Sequence, residues 1–396
     1  MSSTSNLAIL DVDESYSARV LTRGGFLALS AIMLATAAML ALFLRYGNGA
    51  FEAIGVSGTA VSDALSLTGT TTLFWNHPQS VPLDQLLTFL GVLIVYAPIT
   101  WLPASGTALL INCAMLLAAA QVFAASLTLR IGAGPARSVA LAATGIVASN
   151  VYVIEVLTFA NKEVPLILLT NLFVYWAIDR SNLALAMIVA IVAYFFRDGF
   201  AAILVIGAIL LLARDLFGRQ VSLVMLAGLL ALFMSLPSSE LATVDNSIAR
   251  NVRIGTDIVG DKFDSWGIGI SYLVRVAGNL LNLALRPQLS DTAGGLYLLS
   301  VGYWQLGVLI VAGLAAALLQ LLKQGARGAV SLVIVLALLG ISYGTFVQPR
   351  YMMPLAFVLC GCAARLGPWL WPIISLCVIL PFASAALNVL PPLASG

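Results

Sequence analysis

Charge is scarce in this chain. Only 9% of its 396 residues are Asp, Glu, Lys or Arg, and there is a single histidine, His77. An average soluble domain is about 25% charged, so a soluble globular fold is excluded. The net charge of +2 comes without any basic tract, which leaves nothing to hold nucleic acid. The four cysteines, Cys113, Cys360, Cys362 and Cys377, all lie in apolar runs. None has the spacing of a metal site, and His77 cannot complete one, so they read as buried thiols and not disulfides. There is no glycine loop of the kind that cradles a nucleotide phosphate. No internal repeat or low-complexity tract is present, which argues against a transporter built from inverted repeats.

What the chain has in quantity is apolar length: 61% of it is hydrophobic. Repeated runs near the roughly 20 residues that cross a bilayer predict an all-α polytopic membrane protein with about 11 transmembrane helices, within a range of about 11–13. A polar N-terminal tail, 1–24, precedes a single transmembrane domain over 25–396. The first run, Gly25 to Leu44, is long for a signal-peptide core and reads as a retained span. The remaining spans fall at about 105–129, 138–159, 163–179, 181–196, 199–213, 221–236, 296–322, 328–346, 351–364 and 368–386. Two further apolar stretches, 85–102 and 267–286, decide the parity. Short cytoplasmic loops carry the excess of Lys and Arg. With the N-terminus inside and neither stretch crossing, Arg130, Arg137, Arg180, Arg214, Arg219, Lys323, Arg327 and Arg365 all fall inside. Pro98 and Pro103 around Trp101 mark 85–102 as a broken, re-entrant or interfacial piece. In 267–286, Arg275, Asn279, Asn282 and Arg286 form one polar stripe, as on a helix lying in the interface. The C-terminus is then outside, with large extracytoplasmic loops at about 46–104 and 237–295, a length usually reserved for function.

Three joints stand apart from the ordinary basic loops: Asn161-Lys162-Glu163, Phe196-Arg197-Asp198-Gly199 and Gln348-Pro349-Arg350-Tyr351. In the preferred topology they share the outer side, which the charge rule disfavours. Sixteen residues separate Arg180 from Arg197, and sixteen more separate Arg197 from Arg214. At about 1.5 Å per residue each interval reaches about 24 Å, short of a hydrocarbon core of about 30 Å, so Arg197 and Arg350 are predicted to sit below the surface. Lys162, Arg197 and Arg350 also precede or open the next helix, where the positive end of the dipole opposes a cation. That placement makes sense if an anion is held there. The plain alternative for each is an interfacial anchor at a span end. Among the acids, Asp63 lies in the first outer loop and is a candidate to accept a proton from a sugar hydroxyl, or else a solvated loop residue or helix cap. Glu155, inside an apolar run, is a functional candidate or the partner of a buried cation.

The segments Ser62-Asp63-Ala64, Asn161-Lys162-Glu163 and Arg350-Tyr351-Met352-Met353-Pro354 resemble those of bacterial GT-C-type membrane glycosyltransferases and the related O-antigen and exopolysaccharide polymerases. The resemblance covers the span layout over most of the chain. It implies transfer of a sugar or glycan from a polyprenyl-phosphate or polyprenyl-diphosphate carrier at the extracytoplasmic face, in the bacterial inner membrane. It implies Asp63 as the catalytic carboxylate, and Glu163 at the second joint is this chain's other candidate for that role. Lys162, Arg197, Arg250, Arg253, Arg350 and Tyr351 would hold the carrier phosphates. The partners implied are the lipid-linked glycan, membrane lipids, a flippase and a chain-length regulator. No cofactor is required, although Asp63 and Glu163 are able to share one divalent ion. A single-sugar GT-C transferase and a transporter or flippase for an anionic amphiphile remain the alternatives to a polymerase.

Overall fold

The computed structural model describes residues 23–46, 58–80, 83–235, 272–273, 276–277, 301–342 and 349–364. Among these every regular element is helical. In chain order they are α1 (Arg23–Tyr46), α2 (Gly58–Asn76), a 3-10 turn (Pro78–Ser80), α3 (Leu83–Val95) and a second 3-10 turn (Ala97–Thr100). Then come α4 (Ala104–Ile131), α5 (Ala133–Ser149), α6 (Val151–Val156), α7 (Glu163–Val174) with a π turn (Tyr175–Asp179), and α8 (Leu183–Tyr194). They are followed by α9 (Asp198–Phe217), α10 (Arg219–Ser235), α11 (Val301–Gln320), α12 (Gly325–Ile341), a 3-10 segment (Pro349–Leu355) and α13 (Ala356–Ala363).

The punctuation is local. Gly132 ends α4 at φ +84° and Gly218 ends α9 at φ +90°, a backbone region that glycine enters without strain. The Asn182 side chain accepts the Leu185 N–H at 3.1 Å and caps α8. These tight joints fold consecutive helices back on each other, so that α4 packs on α5, α8 on α9, and α9 on α10.

Among the described residues two helices are long and apolar enough to cross a membrane: α4 with 28 residues and α9 with 20, about 42 and 30 Å long. By contrast α8 has 12 residues, or about 18 Å, so the chain between Arg180 and Arg197 is as short as its sequence predicts. The outward faces are apolar too. Ile188 and Ile191 on α8, Leu216 on α9, Val224 on α10 and Leu319 on α11 are all more than half exposed.

The first long loop differs from its expectation. Asp63 stands in α2, not in a loop. Hydroxyls lowered the apparent hydrophobicity of this helix, yet Ala64, Leu67 and Thr71 make a buried helical face. Thr68, Thr71 and Thr72 turn their hydroxyls back onto carbonyls one turn earlier, at 2.8–3.0 Å. The 85–102 stretch is broken, with 13 helical residues ending at Val95 and a 3-10 turn after Tyr96. In the second long loop Tyr272 is buried and donates to the Leu339 carbonyl at 2.7 Å, seating that piece on α12. The polar stripe of Arg275, Asn279, Asn282 and Arg286, the 368–386 span and Cys377 lie outside the described residues. Cys113, Cys360 and Cys362 are in no disulfide, and the last two are buried.

Candidate functional site

The site grows from an interruption in the chain between α5 and α7. Asn150 leaves α5 in an extended conformation, α6 lasts six residues, and 157–162 is irregular. Residues 156–161 are buried all the same. Backbone groups freed by such a break must find partners inside the protein. Asn112, in the middle of α4, supplies them. Its Nδ2 donates to the carbonyls of Leu157 at 2.8 Å and Phe159 at 3.0 Å. Its Oδ1 accepts the Tyr96 hydroxyl and the Asn161 Nδ2, the latter at 3.1 Å. Asn161 Nδ2 also donates to the carbonyls of Val156 and Phe159, each at 3.1 Å. Asn161 Oδ1 accepts the Val164 N–H at 2.9 Å, which caps α7. From α2, Thr68 Oγ1 accepts the Ala160 N–H at 3.1 Å. Four helical segments are therefore tied into one polar knot, and the knot sets where α7 begins.

Lys162 and Glu163 stand at that beginning, both half-buried. Glu163 Oε2 accepts the backbone N–H of Lys162 at 3.2 Å, and its carboxylate is within electrostatic reach of the Tyr96 phenol. Lys162 Nζ lies 5.7 Å from the centre of the Phe89 ring on α3. Two residues on, the Gly91 N–H donates to the Phe195 carbonyl at 2.9 Å. The Phe196 ring covers Gly91 so closely that a Cβ there would come within 2.6 Å of it. Next in the chain, Arg197 precedes α9 in an extended conformation and lays its guanidinium 4.2 Å from the centre of the Tyr351 ring. Lys162, Arg197 and Tyr351 are thus connected through α3 at one end of the bundle. Stacking on an aromatic face leaves the in-plane donors of a guanidinium pointing sideways, the geometry suited to a phosphate or carboxylate.

The two helix starts are less open than the sequence implies. Each has an acid in its first position, and these acids take nearby amides: Glu163 that of Lys162, and Asp198 that of Gly199 at 2.7 Å. This settles the dipole of each helix in the ordinary way. An incoming anion would therefore meet the cations more than the amides.

Asp63 is exposed on α2. Arg350 is the second residue of the 3-10 segment that carries Tyr351, and Pro349 opens that segment as its fixed φ favours. Glu155 lies in α6. Arg250 and Arg253 are outside the described residues. Among the described residues no group of three His, Cys, Asp or Glu side chains could hold a metal ion.

Asn112, Tyr96, Thr68 and Gly91 were not singled out by sequence reasoning. Asn112 did carry a signal, as the one amide within the apolar run of α4 before Gln121. At the opposite end of the bundle, Arg130 forms a buried bidentate pair with Asp179, at 2.6 and 3.0 Å, and Ser126 donates to the same carboxylate at 2.6 Å. No family model, curated protein or solved structure matches the chain.

Proposed function

We propose that the chain is an integral inner-membrane transferase that assembles glycans from polyprenyl-diphosphate-linked units at the extracytoplasmic face, as a polysaccharide polymerase. The observation that carries this reading is the run of contacts that links Lys162 and Glu163, through Phe89 and Gly91 of α3, to Arg197 and Tyr351 in an apolar-faced helical bundle. The exposed Ile, Leu and Val side chains are what lipid, and not water, would cover. Eleven spans, a cytoplasmic N-terminus and an outer C-terminus put the site outside and the Arg130 end inside, in keeping with the charge rule.

In this reading an acceptor hydroxyl attacks the anomeric carbon of the donor. The bond from that carbon to the diphosphate oxygen breaks, and the polyprenyl diphosphate leaves with the electron pair. Lys162, Arg197 and Arg350 stabilise the charge that develops on it. Glu163 takes the hydroxyl proton, or Asp63 does so from α2. Tyr351 holds the Arg197 guanidinium in place.

The interruption of the helical path at 150–162 favours a second reading, since transporters also build sites at broken helices. A flippase for an anionic amphiphile would use the same cations as a clamp. The leaflet on which complete lipid-linked units accumulate separates the two, and complementation tests the cations. In cells lacking the chain, Arg197→Ala or Arg350→Ala at wild-type protein level is expected to restore long glycan at least about tenfold less well than wild type. Full restoration by both variants would remove the cations from the mechanism.

A further inference from the structure

At the end of the bundle away from the site, a cavity of about 570 Å³ opens between the end of α4, the π turn and the turn joining α11 to α12. That volume lies in the range of small-molecule sites. Its charged lining consists of Arg130, Asp179, Lys323 and Arg327. Asp179 is committed to Arg130 in the buried bidentate pair, so the cavity keeps an excess of two positive charges. Both of the remaining cations are exposed on one wall.

That wall is braced from two neighbouring helices. Arg214 reaches from α9 to donate to the Gly325 carbonyl at 2.8 Å, and Arg219 donates from α10 to the Leu322 carbonyl. The backbone of the turn that carries Lys323 and leads to Arg327 is thereby tied to α9 and α10. Apolar side chains border the same region: Leu129 at its rim is 53% exposed, and Leu319 and Leu322 before the turn are 72% and 62% exposed. A freely diffusing anion needs no such apolar flank, whereas an amphiphile has acyl chains to lay against it.

We propose that this cavity binds the phosphate of an anionic lipid headgroup, with Lys323 and Arg327 as its ligands and the lipid's chains against Leu319 and Leu322. Basic pockets between helices at a membrane surface are suited to this chemistry. The inference needs the chain to lie in a membrane but does not depend on glycan transfer.

The test uses the purified full chain, with binding read by native mass spectrometry and by thermal stabilisation in mild detergent. Phosphatidylglycerol is expected to bind about tenfold or more tighter than phosphatidylcholine, and Lys323→Ala/Arg327→Ala to abolish that preference. Arg137→Ala, at the same end but outside the cavity, should keep it, and so should Lys323→Arg/Arg327→Lys. Equal binding of the two lipids, or a preference that survives the double alanine variant, would overturn the proposal. Inorganic phosphate that displaces phosphatidylglycerol at equal concentration would overturn the lipid assignment in favour of a free anion. Because both side chains are exposed, melting of the lipid-free variant near the wild-type temperature verifies that it is folded.

Discussion

Replacing Asn112 with leucine tests whether the polar knot positions the start of α7. Leucine keeps much of the volume and removes both the donor and the acceptor. The carbonyls of Val156 and Phe159 retain Asn161 as a partner. The Leu157 carbonyl and the Tyr96 hydroxyl lose the partners that Asn112 gave them. Each buried polar group left without a partner costs about 1–3 kcal/mol, so the two together cost about 2–6 kcal/mol. Hydrogen bonds inside membranes average weaker than that, which places the expectation at the lower end, about 2–3 kcal/mol. Asn171→Leu is the control, because among the described residues the Asn171 Nδ2 bonds only back to the Ile167 carbonyl of its own helix at 2.8 Å. Thermal unfolding of the purified protein in one detergent should show a clearly larger loss for Asn112→Leu than for Asn171→Leu. In a double-mutant cycle, Tyr96→Phe should cost less in the Asn112→Leu background than alone. Equal losses for the two asparagines, or additive Tyr96 and Asn112 effects, would refute the knot as the support of the site.

Three other outcomes follow from the same geometry. Gly91→Ala puts a methyl group within 2.6 Å of the Phe196 ring and should shift the joint that carries Arg197, lowering activity more than stability in paired activity and melting assays. Tyr351→Phe should keep the guanidinium stacked and remain active, whereas Tyr351→Leu should lose about 0.5–2 kcal/mol of that contact, read as a loss of substrate affinity. Asp179→Ala leaves Arg130 buried without its carboxylate and should destabilise by about 3–5 kcal/mol, while Arg130→Met/Asp179→Leu should recover much of the loss in thermal melts.

The helical class was legible in the apolar runs, and so were the three joints, because charge inside so apolar a chain stands out. The short interval around α8 followed from counting residues between arginines. The span layout puts Asp63 in an outer loop, whereas it stands in α2, a helix rich in threonine. The hydroxyls of Thr68, Thr71 and Thr72 are satisfied within the helix, and that is invisible to composition. The pairing of Arg130 with Asp179 joins residues 49 apart, and Asn112 meets carbonyls 45 and 47 residues on. Contacts at such separations depend on how helices cross, which a single sequence does not state. The helix starts read as open anion sites in sequence, but the acids one residue on fold back onto the first amides, a detail of side-chain rotamers.

The most direct test of the central claim is the lipid-linked glycan profile of cells lacking this chain, resolved by membrane leaflet. The account predicts that complete single repeat units accumulate on the carrier in the outer leaflet, and that wild type restores long chains where Arg197→Ala does not. Units retained on the cytoplasmic leaflet, or a profile unchanged from wild type, would contradict it.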